Sequence, residues 1–174
     1  SKLPFFNEVL ELLKDTYTPE SNFSDSFRLA LQKILKNTGI LFFDPRNEVV
    51  SEFTKSICLK SFEKRKEINK VLTQNVKNLE DDNFSVQVHI REDSPLAFFH
   101  PNGNKGPRFR LKDSGESYEL IGENGAVSYD HVQQKISEVP FSASSSALLR
   151  PIVQDSILPT IMYIGGNSEI NYTA

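Results

Sequence analysis

The sequence predicts an α/β chain with an antiparallel β insert, and three observations carry that expectation. Apolar residues repeat at helical spacing up to residue 82, the period changes to two at Phe84, and the chain from residue 141 onward is strongly apolar. Phe6, Val9, Leu10 and Leu13 form the first helical stripe. After Thr16-Tyr17-Thr18-Pro19, a second stripe of Phe27, Ala30, Leu31, Ile34 and Leu35 runs to a stop at Gly39. The short run Ile40-Leu41-Phe42-Phe43 reads as a strand, and Asp44-Pro45 as an N-cap with proline at the first helical position. One long helix is expected next, over 46–82, with Val49, Phe53, Ile57, Ile68, Leu72, Val76 and Leu79 on its apolar side. Its many charged residues require much of that helix to face water.

From Phe84 the pattern alternates: Phe84, Val86, Val88 and Ile90 on one face, Ser85, Gln87, His89 and Arg91 on the other. Further strands are expected at 96–100, 108–111, 118–121 and 126–129, separated by glycine-, asparagine- and proline-rich turns. A short amphipathic helix with Val132, Ile136 and Val139 leads into a serine-rich loop. Beyond Phe141 only Arg150, Asp155 and Glu169 are charged, so this tail is expected inside a sheet core. The organisation that follows is a helical and α/β core segment over 1–82, an antiparallel β insert over 83–129, and a return to the core over 130–174.

Length and composition set the outer bounds. The chain has 174 residues, 38% of them apolar and 25% charged, which suits about one domain with a buried core. No apolar run approaches the roughly 18 residues a membrane span needs, and no secretory signal is visible. Cys58 is the single cysteine and cannot form an internal disulfide, so the cytoplasm is the default location; it sits near an apolar stripe and reads as a buried small residue. A net charge of −3 gives no general attraction to nucleic acid. The chain opens at Ser1 without methionine and stops in what reads as the first turns of a helix, which points to an internal piece of a longer protein.

Few residues carry chemistry. A buried charge needs a partner, so Arg150 and Asp155 are expected either to pair with each other or to line a polar pocket in which Arg150 holds a carboxylate or phosphate. Tyr163-Ile164-Gly165-Gly166 followed by Asn167-Ser168-Glu169 reads as a strand, a glycine turn and a helix start. Its free backbone N–H groups could receive an anion, although a plain tight turn gives the same pattern. Gln87, His89 and Arg91 are binding candidates from the insert, or simply the solvated face of a strand. His89, His100 and His131 show no ligand spacing with Cys58, and no metal is expected. The basic and aromatic residues between Phe98 and Lys112 suit an amphipathic hairpin better than a nucleic-acid surface. Neither a P-loop nor a nucleophile-elbow sequence is present.

The string Leu148-Leu149-Arg150-Pro151-Ile152-Val153-Gln154-Asp155-Ser156-Ile157-Leu158-Pro159-Thr160, with Tyr163-Ile164-Gly165-Gly166 and Glu169-Ile170-Asn171-Tyr172 after it, resembles the BshC family of cysteine-adding enzymes in bacillithiol biosynthesis. Gln87-Val88-His89-Ile90-Arg91-Glu92 resembles the first strand of that family's connecting β region, and Gly39-Ile40-Leu41-Phe42-Phe43-Asp44-Pro45 its glycine–strand–aspartate turn. The chain departs from the pattern in carrying Asn167-Ser168 where members have a proline, and in lacking the rest of a several-fold longer enzyme, including its carboxy-terminal coiled coil.

The resemblance implies a partial Rossmann-like, nucleotidyltransferase-related core with a long helix and an inserted small antiparallel β subdomain. It implies an amide-forming ligase that joins the carboxyl of cysteine to the amine of glucosaminyl-malate, with a nucleotide such as ATP or ADP as the expected cofactor. Arg150, Asp155 and Glu169 are then the expected catalytic residues. Gln154, Gly165, Gly166, Tyr172, Gln87, His89 and Arg91 would bind substrate. Small molecules are the expected partners, with no nucleic acid, no membrane and a homodimer allowed. A non-catalytic interaction module with an oligomerising helix and hairpin is the alternative.

Overall fold

In the computed structural model, residues 3–86, 89–139 and 141–166 are described. They fall into two compact units, Ser1–Asp44 and Pro45–Ala174.

The first unit is a helical hairpin of α1 (Phe6–Thr16) and α2 (Phe23–Ile34). Asn22 starts α2 by accepting the Asp25 N–H at 2.9 Å, which satisfies one of the orphan donors at a helix start. Ala30, Thr16 and Ser26 are buried between the helices, and the Thr16 hydroxyl is satisfied by the Leu12 carbonyl at 2.7 Å. Residues 40–43, expected as a strand, have no strand structure, and Leu41 is almost wholly exposed. An apolar run becomes a strand only where another strand offers it a ladder, and none of the described strands pairs with this one.

The second unit begins with α3 (Glu48–Glu63) and α4 (Arg65–Asp81). Asn47, not Asp44, caps α3, its side chain accepting the Val49 N–H at 3.0 Å. The expected single helix over 46–82 is interrupted at Lys64, whose φ of −97° and ψ of 15° close one helix as the next opens. The buried side of α3 carries Cys58, Ser61 and Phe62, whereas Val49 and Phe53 face solvent. Cys58 is 0% exposed, as its place beside the apolar stripe predicts.

A left-handed Asn83 ends α4. The Phe84 N–H reaches the Leu79 carbonyl at 2.9 Å and the Asn83 N–H reaches that of Glu80 at 3.0 Å, a paired closure of the last helical turn. Phe84 is therefore used to finish a helix, and the strand expected from it does not form at the described residues among 84–90. Gln87 and Val88 lie outside the described residues.

Among the described residues the β structure comprises two small sheets. Strands β2 (Arg110–Asp113), β3 (Ser117–Ile121) and β4 (Ala126–Ser128) form an antiparallel meander close to the expected positions. Gly115, at φ +94°, makes the β2–β3 turn. Strand β1 (Ala97–Phe99) pairs antiparallel with β5 (Ala143–Ser145), matching Phe98 with Ser144. Serine is a weak strand former, and the serine-rich segment reads as a loop until Phe98 and Phe99 supply a partner. Phe99 and Phe109 exchange both backbone hydrogen bonds, at 2.9 and 2.7 Å, and so join the two sheets.

Helix α5 (Tyr129–Glu138) is capped by the Ser128 hydroxyl and buries Val132 and Ile136. Helix α6 (Arg150–Ile157) buries Val153. One core holds Cys58, Phe62, Phe99, Leu111, Tyr118, Val132, Ile136, Leu149 and Val153, so the β meander and the flanking helices share their apolar interior.

The tail corrects an expectation. Residues 159–166 have no strand among the described residues, and Ile161 and Ile164 are 99% and 88% exposed rather than enclosed in a sheet. Low charge marks a segment as able to be buried. Burial itself needs a covering surface, and no described strand provides one.

Candidate functional site

The segment that carries His89 and Arg91 is positioned by a residue that no sequence motif marks. Asn69, on α4 and 2% exposed, places its side-chain nitrogen 3.0 Å from the carbonyl oxygens of Arg91, Glu92 and Ser94. One buried amide thus supplies donors to a turn whose carbonyls have no ladder partners. Ser94 extends the lock by donating its hydroxyl to the Leu111 carbonyl at 2.6 Å, and the Leu96 N–H donates to the Ser61 hydroxyl at 3.2 Å. The segment is irregular, so His89 and Arg91 do not share a strand face as the alternation predicts. They share a cavity of about 260 Å3, together with Arg110 from β2 and Ser146 from the loop after β5.

Strand β2 is anchored at its far end. Arg65, at the start of α4, donates its Nε–H to Asp113 Oδ2 at 2.5 Å, and the Tyr129 hydroxyl donates to Oδ1 of the same carboxylate. The Gly115 N–H adds a third bond at 2.8 Å. The guanidinium of Arg65 lies 4.8 Å from the Tyr129 ring centroid and 5.3 Å from that of Tyr118. Burial pushes the Asp113 carboxyl up, but the hydrogen bonds from Tyr129, Arg65 and Gly115 outweigh it and hold the group at about 2. Burial also raises the Tyr118 hydroxyl to about 12, and burial with the bond to Asp113 raises that of Tyr129. With both tyrosines protonated at neutral pH and one ion pair at its centre, this cluster is a clamp between α4 and β2.

A second cavity, of about 320 Å3, lies between the start of α3, β5 and the loop after β1. His100 Nε2 and the Ser144 hydroxyl are 2.8 Å apart there. Burial and the nearby Arg108 lower the His100 pKa, which keeps the ring neutral at neutral pH. Neither residue stands out in the sequence, because the β1–β5 pairing that joins them is not visible in it.

The expected tail site falls only partly within the described residues. Arg150 and Asp155 are exposed on α6 and make no ion pair with each other, and Gln154 is half-buried. Residues five apart on a helix point in different directions, since neighbours on one face are three or four apart. The cost of a buried charge, on which their pairing was expected, does not arise. Gly165 and Gly166 lie in irregular chain. Glu169 and Tyr172, like Gln87, lie outside the described residues. Among the described residues no cluster of three or more His, Cys, Asp or Glu side chains could hold a metal ion, and no helix is long and apolar enough to cross a membrane.

Comparison with known proteins identifies the lineage. Residues 2–174 match the family model described as "Bacillithiol biosynthesis BshC, N-terminal Rossmann-like domain", and the chain belongs to that family. Its class is therefore a Rossmann-like domain, with small antiparallel sheets and helices in the described part. Curated relatives named "Putative cysteine ligase BshC" include one from Solibacter usitatus, 31% identical over 99% of this chain and 31% of its own length. Relatives of the same name from Halalkalibacterium halodurans and Koribacter versatilis are 26% and 23% identical, over 99% and 97% of this chain and 31% of their own lengths. The chain spans about a third of the length of these relatives.

Proposed function

We propose that this chain is the Rossmann-like part of a cysteine ligase of bacillithiol biosynthesis, which joins the carboxyl of cysteine to the amine of glucosaminyl-malate in the cytoplasm. The observation that carries this reading is the family match along residues 2–174. A carboxylate does not form an amide with a free amine at neutral pH unless it is activated and held close to it. A nucleotide, ATP or ADP, is the proposed cofactor, and when bound it would supply that activation. The cavity lined by Arg91, Arg110 and Ser146 fits anionic phosphate oxygens by the charge and donors of its two arginines.

In this reading Arg150 holds a substrate carboxylate or phosphate, Gln154 and Asp155 orient hydroxyl or amine groups, and Glu169 receives the amine. The backbone N–H groups of Gly165 and Gly166 cradle an anion, while Tyr172, Gln87, His89 and Arg91 contact substrate. The exposure of Arg150 and Asp155 on α6 suits residues that meet a ligand. The test is binding and turnover of cysteine, ATP and glucosaminyl-malate by the longer protein carrying Arg150→Ala or Glu169→Ala. Loss of either activity or affinity supports the roles, and unchanged values in both variants refute them.

A second reading, a protein-interaction module able to form a homodimer, draws on the exposed apolar run Ile161, Met162 and Ile164. Sedimentation of the chain with and without Ile161→Lys and Ile164→Lys separates the two. An assembly that dissolves on substitution favours the module, and a monomer throughout removes it.

A further inference from the structure

The cavity beside His89 and Arg91 has a charge that the rest of the chain lacks. The chain carries a formal net charge of −3, yet the lining of this cavity includes two arginines and a histidine and no carboxylate. A third arginine, Arg108, sits with its guanidinium 4.6 Å from the ring centroid of Phe98, which itself lines the cavity. Among the described residues none of Arg91, Arg108 and Arg110 takes part in an ion pair. Cations gathered on a concave, partly apolar wall focus a positive potential into it. Arg91 and Arg108 are exposed and Arg110 is half-buried, so solvent screens their mutual repulsion, and an anion in the cavity would relieve what remains.

A second observation is independent of charge. The Ser146 hydroxyl is buried and has no hydrogen-bond partner among the described residues; Ser146 lines the same cavity, and a rotation about its Cα–Cβ bond is what would turn the hydroxyl into it. Leaving a buried hydroxyl unpaired is unfavourable, a cost that a ligand oxygen met by the rotated side chain would remove. Leu96, whose carbonyl accepts the Ser146 N–H at 2.9 Å, and Phe98 give the lining an apolar part.

We propose that this cavity is an oxyanion site. It takes the carboxylate or phosphate group of a small molecule, with Arg91 and Arg110 as charged donors, Ser146 as a neutral donor, and the apolar part of the ligand against Leu96 and Phe98. At about 260 Å3 it holds a group the size of a dicarboxylate or a single phosphate better than a whole nucleotide. The planar guanidinium fork, which meets two oxygens at once, distinguishes this arrangement from a diffuse basic surface. The site deepens the ligase reading and rests on it only for its place in that reaction.

The test is calorimetric titration of the chain with inorganic phosphate, L-malate and, as a neutral control, glycerol. Binding of phosphate or malate but not glycerol is expected, with R91Q and R110Q each weakening it about tenfold or more. R110K retains charge without the fork and is expected to fall between R110Q and the parent chain. Arg28→Gln, in the α1–α2 unit, is expected to leave binding unchanged. Phosphate preference would mark a phosphoryl ligand and malate preference a carboxylate, and either supports the site. Failure of both anions to bind, or unchanged affinity in the R91Q/R110Q double variant, overturns it. Since the readout is anion binding, failure of the ligase reading leaves these expectations intact, and loss of anion binding overturns this site alone.

Discussion

Asp113→Asn is the substitution whose consequence can be worked out most fully. The carboxylate is 8% exposed and its partner Arg65 15% exposed, so the pair is well shielded. Its pKa of about 2 lies below the ordinary value of 3.8. At 1.36 kcal/mol per pH unit, that difference corresponds to about 2.4 kcal/mol of folding stability. Residual solvent screening trims the expectation to about 2 kcal/mol. Asparagine keeps an oxygen for the Tyr129 and Gly115 donors but leaves the Arg65 cation without its anion.

The folded-state pKa is depressed, so the contribution is complete above about pH 4 and is lost as pH falls toward about 2. Urea unfolding, followed by circular dichroism near pH 7 and at steps down to about pH 2.5, should show the parent chain ahead by about 2 kcal/mol at neutral pH. The gap should narrow steadily below about pH 4. A gap that stays constant across this range, or one below about 0.5 kcal/mol at neutral pH, would refute the assignment of the stability to the ionised carboxylate.

Other expectations follow from the same structure. Asn69→Leu should destabilise the second unit by about 2–3 kcal/mol, because the carbonyls of Arg91, Glu92 and Ser94 lose their common donor; hydrogen exchange in residues 89–96 would report the loosening. Phe62→Ala should cost about 3–5 kcal/mol by urea unfolding, since Phe62 is fully buried against Tyr118 with ring centroids 5.8 Å apart. The Cys58 thiol, pushed up to about 12 by burial, should resist a thiol-specific disulfide reagent near pH 8 in the folded chain and react promptly once urea unfolds it.

How much of the fold was legible depended on the kind of signal. Periodicity located α1, α2 and α5, and turn chemistry located the β2–β3–β4 meander, because both are local consequences of backbone geometry. It did not show that α4 would close through Asn83 and Phe84, since a helix cap and the first residue of a strand look alike in one chain. Nor did it show β5, whose serines become a strand only opposite Phe98 and Phe99. The tail motif carried the family resemblance, yet α6 turns Arg150 and Asp155 outward. Of the expected site residues, His89 and Arg91 come together in one cavity.

The sequence by itself determined the family, the helical hairpin, the meander and the burial of Cys58, since each is written in neighbouring residues or in a long ordered motif. Only the tertiary structure decided that Asn69 holds the 91–94 turn, that Arg65 and Asp113 tie α4 to β2, and that Arg110 and Ser146 stand beside Arg91. The physical reason is that spacing along a chain fixes which face of an element is apolar. The partner that meets the face depends on pairings between distant segments, and here Phe99 with Phe109 and Phe98 with Ser144 set them.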